Sequence, residues 1–469
     1  MVRAPLFART ALGLALALGV AAGGLSAPAF AKDEKKKEDK KAAAPKLAPS
    51  KAFIPPYTAA KTALDAASKR ADVTEGRNKV TAAETAYRNA TGKKARDDAR
   101  AAYDASIASL TALLAPEIAL SDAAFAAATT PDDKFIAGQL GFNLGQLAYD
   151  KKLQRRGLQS MVDSGKLPPA EVAKFNYYIG GLSYDLKDYA GARTALHAAQ
   201  AGGYTEGNID GTLADAYFND NMPAEGLKVL QAGIDKRGAA APEDWIRKGI
   251  VVAYKAKMPE QAVVFSTRLV QFYPTQENWA LAISVVRDSS KYQNQENIDL
   301  LRLMLRTNSW SEARDFFEYI QAADPRRLPG ETLKVVNLGI ASGKLQASDP
   351  SVADAKSIAA GRIAADKASL VGLERDARAP AATAATAMAA GDAFLSYDEP
   401  AKAAELYAIA LTKPGVDAPR ILTRLGIAQV DMGKFAEAQE TFAKVTGPRV
   451  PIAQLWSAYA KSKLAAPAK

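Results

Sequence analysis

Tyr177-Tyr-Ile-Gly-Gly-Leu-Ser-Tyr184, followed by Asp188-Tyr-Ala-Gly-Ala192, returns thirty-four residues later as Thr212-Leu-Ala-Asp-Ala-Tyr-Phe218 followed by Met222-Pro-Ala-Glu-Gly226. In that register Gly180 falls on Ala214, Ala192 on Gly226, Leu196 on Leu230 and Ala199 on Gly233. A third copy, slipped by two residues, runs through Ala253-Tyr254 and Met258-Pro-Glu-Gln-Ala262 to Pro274, and Trp245 and Trp279 keep the thirty-four-residue spacing. Small residues at fixed offsets in two successive helical segments are what a close helix crossing requires, and aromatics fill the gap to the next pair. One hairpin cannot hide that surface alone, whereas a stack of about three or more buries it continuously.

The pattern returns near the C-terminus. Gly391-Asp-Ala-Phe394 with Ala403, Tyr407 and Ala410 matches Leu425-Gly426 with Gly433-Lys-Phe-Ala-Glu-Ala438, Phe442 and Val445, now at an offset of thirty-five. The run from Leu425 to Lys444 resembles the tetratricopeptide repeat: Leu-Gly in the first helix, Gly-x-aromatic in the turn, Ala opening the second helix, then an aromatic. Gln429 stands where that family usually has Tyr, and Val445 where it has Ala. Five copies cover a little over a third of the chain. The resemblance implies an all-α, right-handed solenoid whose inner groove, lined mainly by first helices, binds peptides or proteins. It places Tyr184, Phe218 and Tyr254 on that groove, with Asp185, Asn219 and Lys255 beside them. The competing reading of the same aromatics is that they seal neighbouring hairpins.

Outside the repeats, the chain still reads as helical. Ala is abundant, segments such as Lys61 to Arg70 space apolar residues three and four apart, and breaks recur at Gly92, Pro116, Pro131, Pro168, Pro242, Pro274, Pro325 and Pro350. Residues 57–116 read as a helical hairpin or cap, and 117–349 as a central solenoid, clearest over 174–275. Residues 350–469 read as a long helix, or a pair, from Ser351 to Arg378, followed by C-terminal repeats and a capping helix. Ile136 to Gly165 holds one further hairpin, with Gly141 at its crossing, and Leu300 to Leu305 and Phe316-Phe317 are helix cores without the small-residue signature.

Arg3 and Arg9, the uncharged run Ala11 to Leu25 and Ala29-Phe30-Ala31 form the n-region, h-region and cleavage site of a secretory signal peptide over residues 1–31. The chain after cleavage begins near Lys32 and is periplasmic or secreted. It carries no Cys for lipidation and no later span long enough for a bilayer. Removing two arginines leaves 59 basic residues against 51 acidic ones, a formal charge of +8 where the whole sequence has +10. Residues 32–56, rich in Lys, Asp, Glu and Pro, read as a disordered linker. Its lysines can make weak contact with an anionic surface. Basic residues are not clustered with aromatics, so no nucleic-acid partner is expected.

The chain has no Cys and one His, which excludes disulfides, thiolate metal sites and zinc sites built on two imidazoles, and routes any Ser-His-Asp arrangement through His197. His197 follows core Leu196 and reads as structural. Gly339 to Gly343-Lys344 is one residue short of a phosphate loop, and Gly138, Gly141 and Gly145 follow no strand. Asp132-Asp133 and Glu374 with Asp376 read as helix caps and solvated faces. The sequence therefore points to an exported, non-enzymatic scaffold that needs no cofactor or metal and binds a protein or peptide partner of the cell envelope. The alternatives are a cell-wall glycan-acting enzyme, which would need a separate domain with a general-acid Glu, and an accessory subunit of an envelope secretion or polysaccharide export machine.

Overall fold

A computed structural model describes residues 47–290 and 292–465. The signal peptide expected over 1–31 and the linker up to residue 46 lie outside the described residues. Among the described residues there is no strand; the chain is a succession of helices that divides into two compact units, one up to Val229 and one from Leu230. The first contains α1 (Ile54–Ala67), α2 (Ala71–Asn89), α3 (Lys93–Leu113), α4 (Ala115–Ala127), α5 (Pro131–Ala148), α6 (Lys151–Asp163), α7 (Pro169–Asp185), α8 (Tyr189–Ala201) and α9 (Ile209–Asn219). The division falls within α10 (Pro223–Arg237). The second contains α11 (Glu243–Lys255), α12 (Pro259–Phe272), α13 (Gln276–Ser290), α14 (Asn294–Thr307), α15 (Ala313–Ala323), α16 (Pro329–Ala341), α17 (Pro350–Arg378), α18 (Ala384–Ser396), α19 (Pro400–Leu411), α20 (Ala418–Asp431), α21 (Phe435–Phe442) and α22 (Val450–Ala465). The stretch read as one long helix or a pair is a single helix, α17.

Three prolines that read as breaks are helix starts: Pro116, Pro131 and Pro350 stand in the first turns of α4, α5 and α17, where the missing N–H has no intrahelical partner to lose. Pro259, Pro329 and Pro400 open α12, α16 and α19 in the same way. The turns inside the repeats share one geometry. Lys187, Asn221, Lys257, Asp398 and Gly433 all have φ between 56° and 76°. The amide after each donates to the carbonyl five residues earlier: Asp188 to Ser183, Met222 to Tyr217, Met258 to Ala253, Glu399 to Phe394 and Lys434 to Gln429. This is the left-handed cap that closes a helix and turns the chain back.

The helix crossings are as close as the small residues demand. A Cβ added to Gly180 would lie 2.5 Å from Leu196 Cγ, one on Gly391 2.7 Å from Tyr407 Cε1 and one on Gly426 2.4 Å from Phe442 Cε1. Gly249 meets Phe265 in the same way, at 2.3 Å, and in each pair the large residue follows the glycine by sixteen positions. Glycine in mid-helix weakens a helix by about 1 kcal/mol relative to Ala. Here it admits a fully buried side chain of the opposing helix.

Two features depart from the sequence reading. Residues 47–56, the end of the stretch expected to be a linker, are held. The Ser50 amide and hydroxyl both donate to Asp133, at 2.8 Å, and the Ala48 amide donates to Asp132 at 2.9 Å. Leu47 packs on the apolar cluster of Phe135 and Phe175, and α1 begins at Ile54. Asp133 also closes the capping box of α5 with Thr130, so one carboxylate joins a helix start to a distant segment.

The second feature is the closure of the C-terminal unit on itself. Helix α22 packs against α12, α13 and α14 as well as α20 and α21. Trp279 meets Tyr459 edge to face at 5.9 Å, and Trp456 Nε1 donates to the Asp299 carbonyl at 2.8 Å.

Candidate functional site: a groove on the second helices

Of the six expected groove residues, four lie in the N-terminal unit and are engaged by the stack. Tyr184 packs edge to face on Tyr189 at 5.7 Å, and its hydroxyl accepts from Asn219 Nδ2 at 3.0 Å. Burial, reinforced by Asp215, pushes the Tyr184 phenol up to about 12. Asp185 accepts from Lys151 Nζ at 2.6 Å. Phe218 covers Gly226, whose Cβ would lie 2.4 Å from its ring. Tyr184 and Asn219 are therefore brought together, and Phe218 seals its own hairpin. Tyr254, 63% exposed, and Lys255 lie on α11 of the C-terminal unit beside exposed Val251.

In the C-terminal repeats, α20 packs against the chain's own α14, and Arg424 links both to α18. Arg424 donates to Asp392 Oδ2 at 2.5 Å and to Asp299 Oδ1 at 3.4 Å; Arg449 reaches Asp299 Oδ2 at 2.7 Å. Arg302 holds Asp299 and makes a two-pronged pair with Glu331 at 2.8 Å, and Arg306 does the same with Asp431 at 2.6 and 3.0 Å. Burial pushes the Asp299 carboxyl up, but Arg424, Arg449 and Arg302 outweigh it and hold it below the usual carboxylate range. A network in which each carboxylate is answered by guanidinium groups reads as a structural core.

The open site lies in the N-terminal unit. A groove of about 710 Å³ runs between the second helices α6 and α8, floored by Asn176, Ile179 and Ser183 of α7. Its origin is in the sequence. The tetratricopeptide hairpins that the repeats resemble carry bulky residues three to four positions either side of the small crossing residue, in the pattern W-x-x-L-G-x-x-Y. Around Gly180 that pattern falls on Asn176, Ile179 and Ser183. Asn and Ser leave unfilled the volume that an indole and a phenol would occupy.

The floor is apolar at Ile179 and Ala195, and the walls are mostly cationic: Lys134, Lys152, Arg155 and Arg156 against Asp163 and Asp188. Arg155 spans the groove to Asp188 at 2.6 Å, and Arg156 lies 4.0 Å over the Phe125 ring and pairs with Asp122 at 2.6 Å. Asp163 accepts from Gln159 at 2.7 Å. Lys134 and Lys152 make no ion pair among the described residues.

His197 shares a hydrogen bond of 3.0 Å with the Tyr217 hydroxyl and sits at the solvent edge. Glu374 is tied to Arg378 and Lys402 on a helix surface. Among the described residues no three His, Asp or Glu side chains are grouped to hold a metal ion, and no helix is by itself long and apolar enough to cross a membrane. The groove is weakly signalled in the sequence, because the aromatics present at repeat positions stand out more than residues that are lacking. Its signal was the two large residues that were absent.

No known family pattern and no curated protein matches the chain. Among solved structures, Naa15/Naa10 bound to HypK-THB overlaps 84% of this chain and 70% of that one, at 13% identity and a TM-score of 0.32. A circular tandem repeat protein with novel repeat topology and enhanced subunit contact surfaces overlaps 87% and 97%, at 13% identity and a TM-score of 0.14. Both overlaps are loose, so the functional reading stands on the geometry of the chain itself.

Proposed function

We propose that this chain is an exported, non-enzymatic scaffold of tetratricopeptide-like hairpins that holds an extended segment of a partner protein in the cell envelope. The observation that carries the reading is the α6–α8 groove. It combines an apolar floor, hydrogen-bonding walls and a volume in the range of small binding clefts. It lies on helices fixed by close crossings, so little ordering is required of the receptor when a ligand binds. Export is supported by the leader-like residues Arg3 to Ala31.

The test is capture with a photo-crosslinker placed at Gln159, an exposed lining residue. Wild-type chain is expected to crosslink to envelope proteins, and a groove-filled Ser183→Tyr chain is expected to lose those adducts. Equal adducts from both chains would rule out this groove as the binding surface.

A further inference from the structure

The groove also carries information about the chemistry of its occupant. Its two lysines without ion pairs stand on α5 and α6. Lys152 stands in the first turn of α6, and the Lys134 carbonyl accepts the Ser160 hydroxyl at 2.8 Å, eight residues further along the same helix. Eight helical residues advance about 12 Å. Four residues of an extended peptide advance about 13 Å, and in an extended chain the first, third and fifth side chains share one face. Between the two lysines that face meets Ile179 and Ala195.

We propose that the α6–α8 groove receives an extended peptide with acidic side chains flanking an apolar one at alternate positions, acid-x-apolar-x-acid, the acids meeting Lys152 and Lys134 and the apolar side chain resting on Ile179 and Ala195. The inference rests on the peptide-binding reading of this groove. The other charged groups at the walls agree with it. Arg155 and Arg156 keep their partners Asp188 and Asp122, so they add positive potential without a vacant valence. Asp163 is the one wall acid outside an ion pair, and its carboxylate is turned to Gln159. The accessible apolar lining at Phe125, Ala128 and Ala198 favours a peptide over a polyanionic glycan, which would engage the lysines alone.

The experiment is fluorescence anisotropy with a labelled Ser-Glu-Ser-Leu-Ser-Glu-Ser peptide and its Lys-for-Glu and Ser-for-Leu counterparts, at about 50 mM and about 300 mM NaCl. The acidic peptide is expected to bind about tenfold or more tightly than the lysine peptide, to weaken with salt and to lose affinity when Leu is replaced. The double variant K134E/K152E is expected to reverse the charge preference. Equal binding of acidic and basic peptides, or an unchanged preference in K134E/K152E, overturns the proposal. So does competition by a polyanionic glycan together with indifference to the Leu replacement.

Ser183→Tyr separates this failure from failure of the groove itself. If it abolishes all peptide binding while K134E/K152E leaves the preference unchanged, the groove stands and the acidic ligand falls. If acidic peptide binding survives in Ser183→Tyr, both fall. Ala198→Trp, at an exposed lining position, fills the groove from the rim and serves where a thermal melt shows Ser183→Tyr to be unfolded.

Discussion

Asp299 Oδ2 and Arg449 Nη1 meet at 2.7 Å although 150 residues separate them in sequence. Asp299 is fully buried and answers Arg302 and Arg424 as well, so one carboxylate neutralises guanidinium groups from α14, α20 and the segment before α22. Asp299→Asn would leave those cations partly uncompensated in a dry interior. The expected cost is about 3–5 kcal/mol, read from urea unfolding at neutral pH. A loss below about 1 kcal/mol would show that solvent reaches the network.

The glycines make opposite predictions according to what faces them. Gly426→Ala drives a methyl against Phe442 and is expected to destabilise by about 1–3 kcal/mol despite its better helix propensity. Gly361→Ala and Gly372→Ala lie in α17 with nothing within 4 Å of the new Cβ. Each is expected to stabilise by about 0.5–1 kcal/mol. Thermal melts of the three single variants decide it.

The repeat turns can be improved where the left-handed position is not glycine. Lys257→Gly is expected to stabilise by about 0.5–1 kcal/mol, because φ of 56° costs an L side chain and costs glycine nothing. The reverse change, Gly433→Ala at φ 76°, is expected to lose about 1 kcal/mol. Equal melting temperatures for the two variants would contradict the shared turn geometry.

Acid should release the segment that precedes α1. Burial pushes the Asp133 carboxyl up, but the Ser50 and Thr130 amides and hydroxyls outweigh it and hold it below the ordinary aspartate value. A carboxyl depressed in the folded state adds stability above its unfolded pKa of about 3.9, and that stability is lost as pH falls through the folded value. Hydrogen exchange of the Ser50 amide is therefore expected to stay slow from neutral pH to about pH 4 and to gain opening below it. Asp133→Asn should expose that amide at neutral pH.

The helical class, the repeat period and the crossings at Gly180, Gly391 and Gly426 were legible in the sequence because they are local. Period and small-residue spacing depend on residues within one or two hairpins. Closure of the C-terminal unit was not legible: Asp299, Arg424 and Arg449 look like ordinary surface charges on amphipathic helices, and only the return of α22 to α12 buries them. The groove was legible in principle at Asn176 and Ser183, but a missing bulky residue carries less signal than a present one. The docked segment from Leu47 to Phe53 was hidden by composition, since the prolines and lysines around it are those of a solvated tether, and its anchor is a carboxylate more than eighty residues away.

The return of α22 to α12 also sets how the C-terminal unit comes apart. An open array of hairpins unfolds as a one-dimensional chain, in which each element answers only to its neighbours and an end can fray on its own. A ring has no ends. Stripping the last helix from this one uncovers Asp299 and its arginines, so the eleven helices from Pro259 to Ala465 must melt together, with the sharp transition of a globular domain.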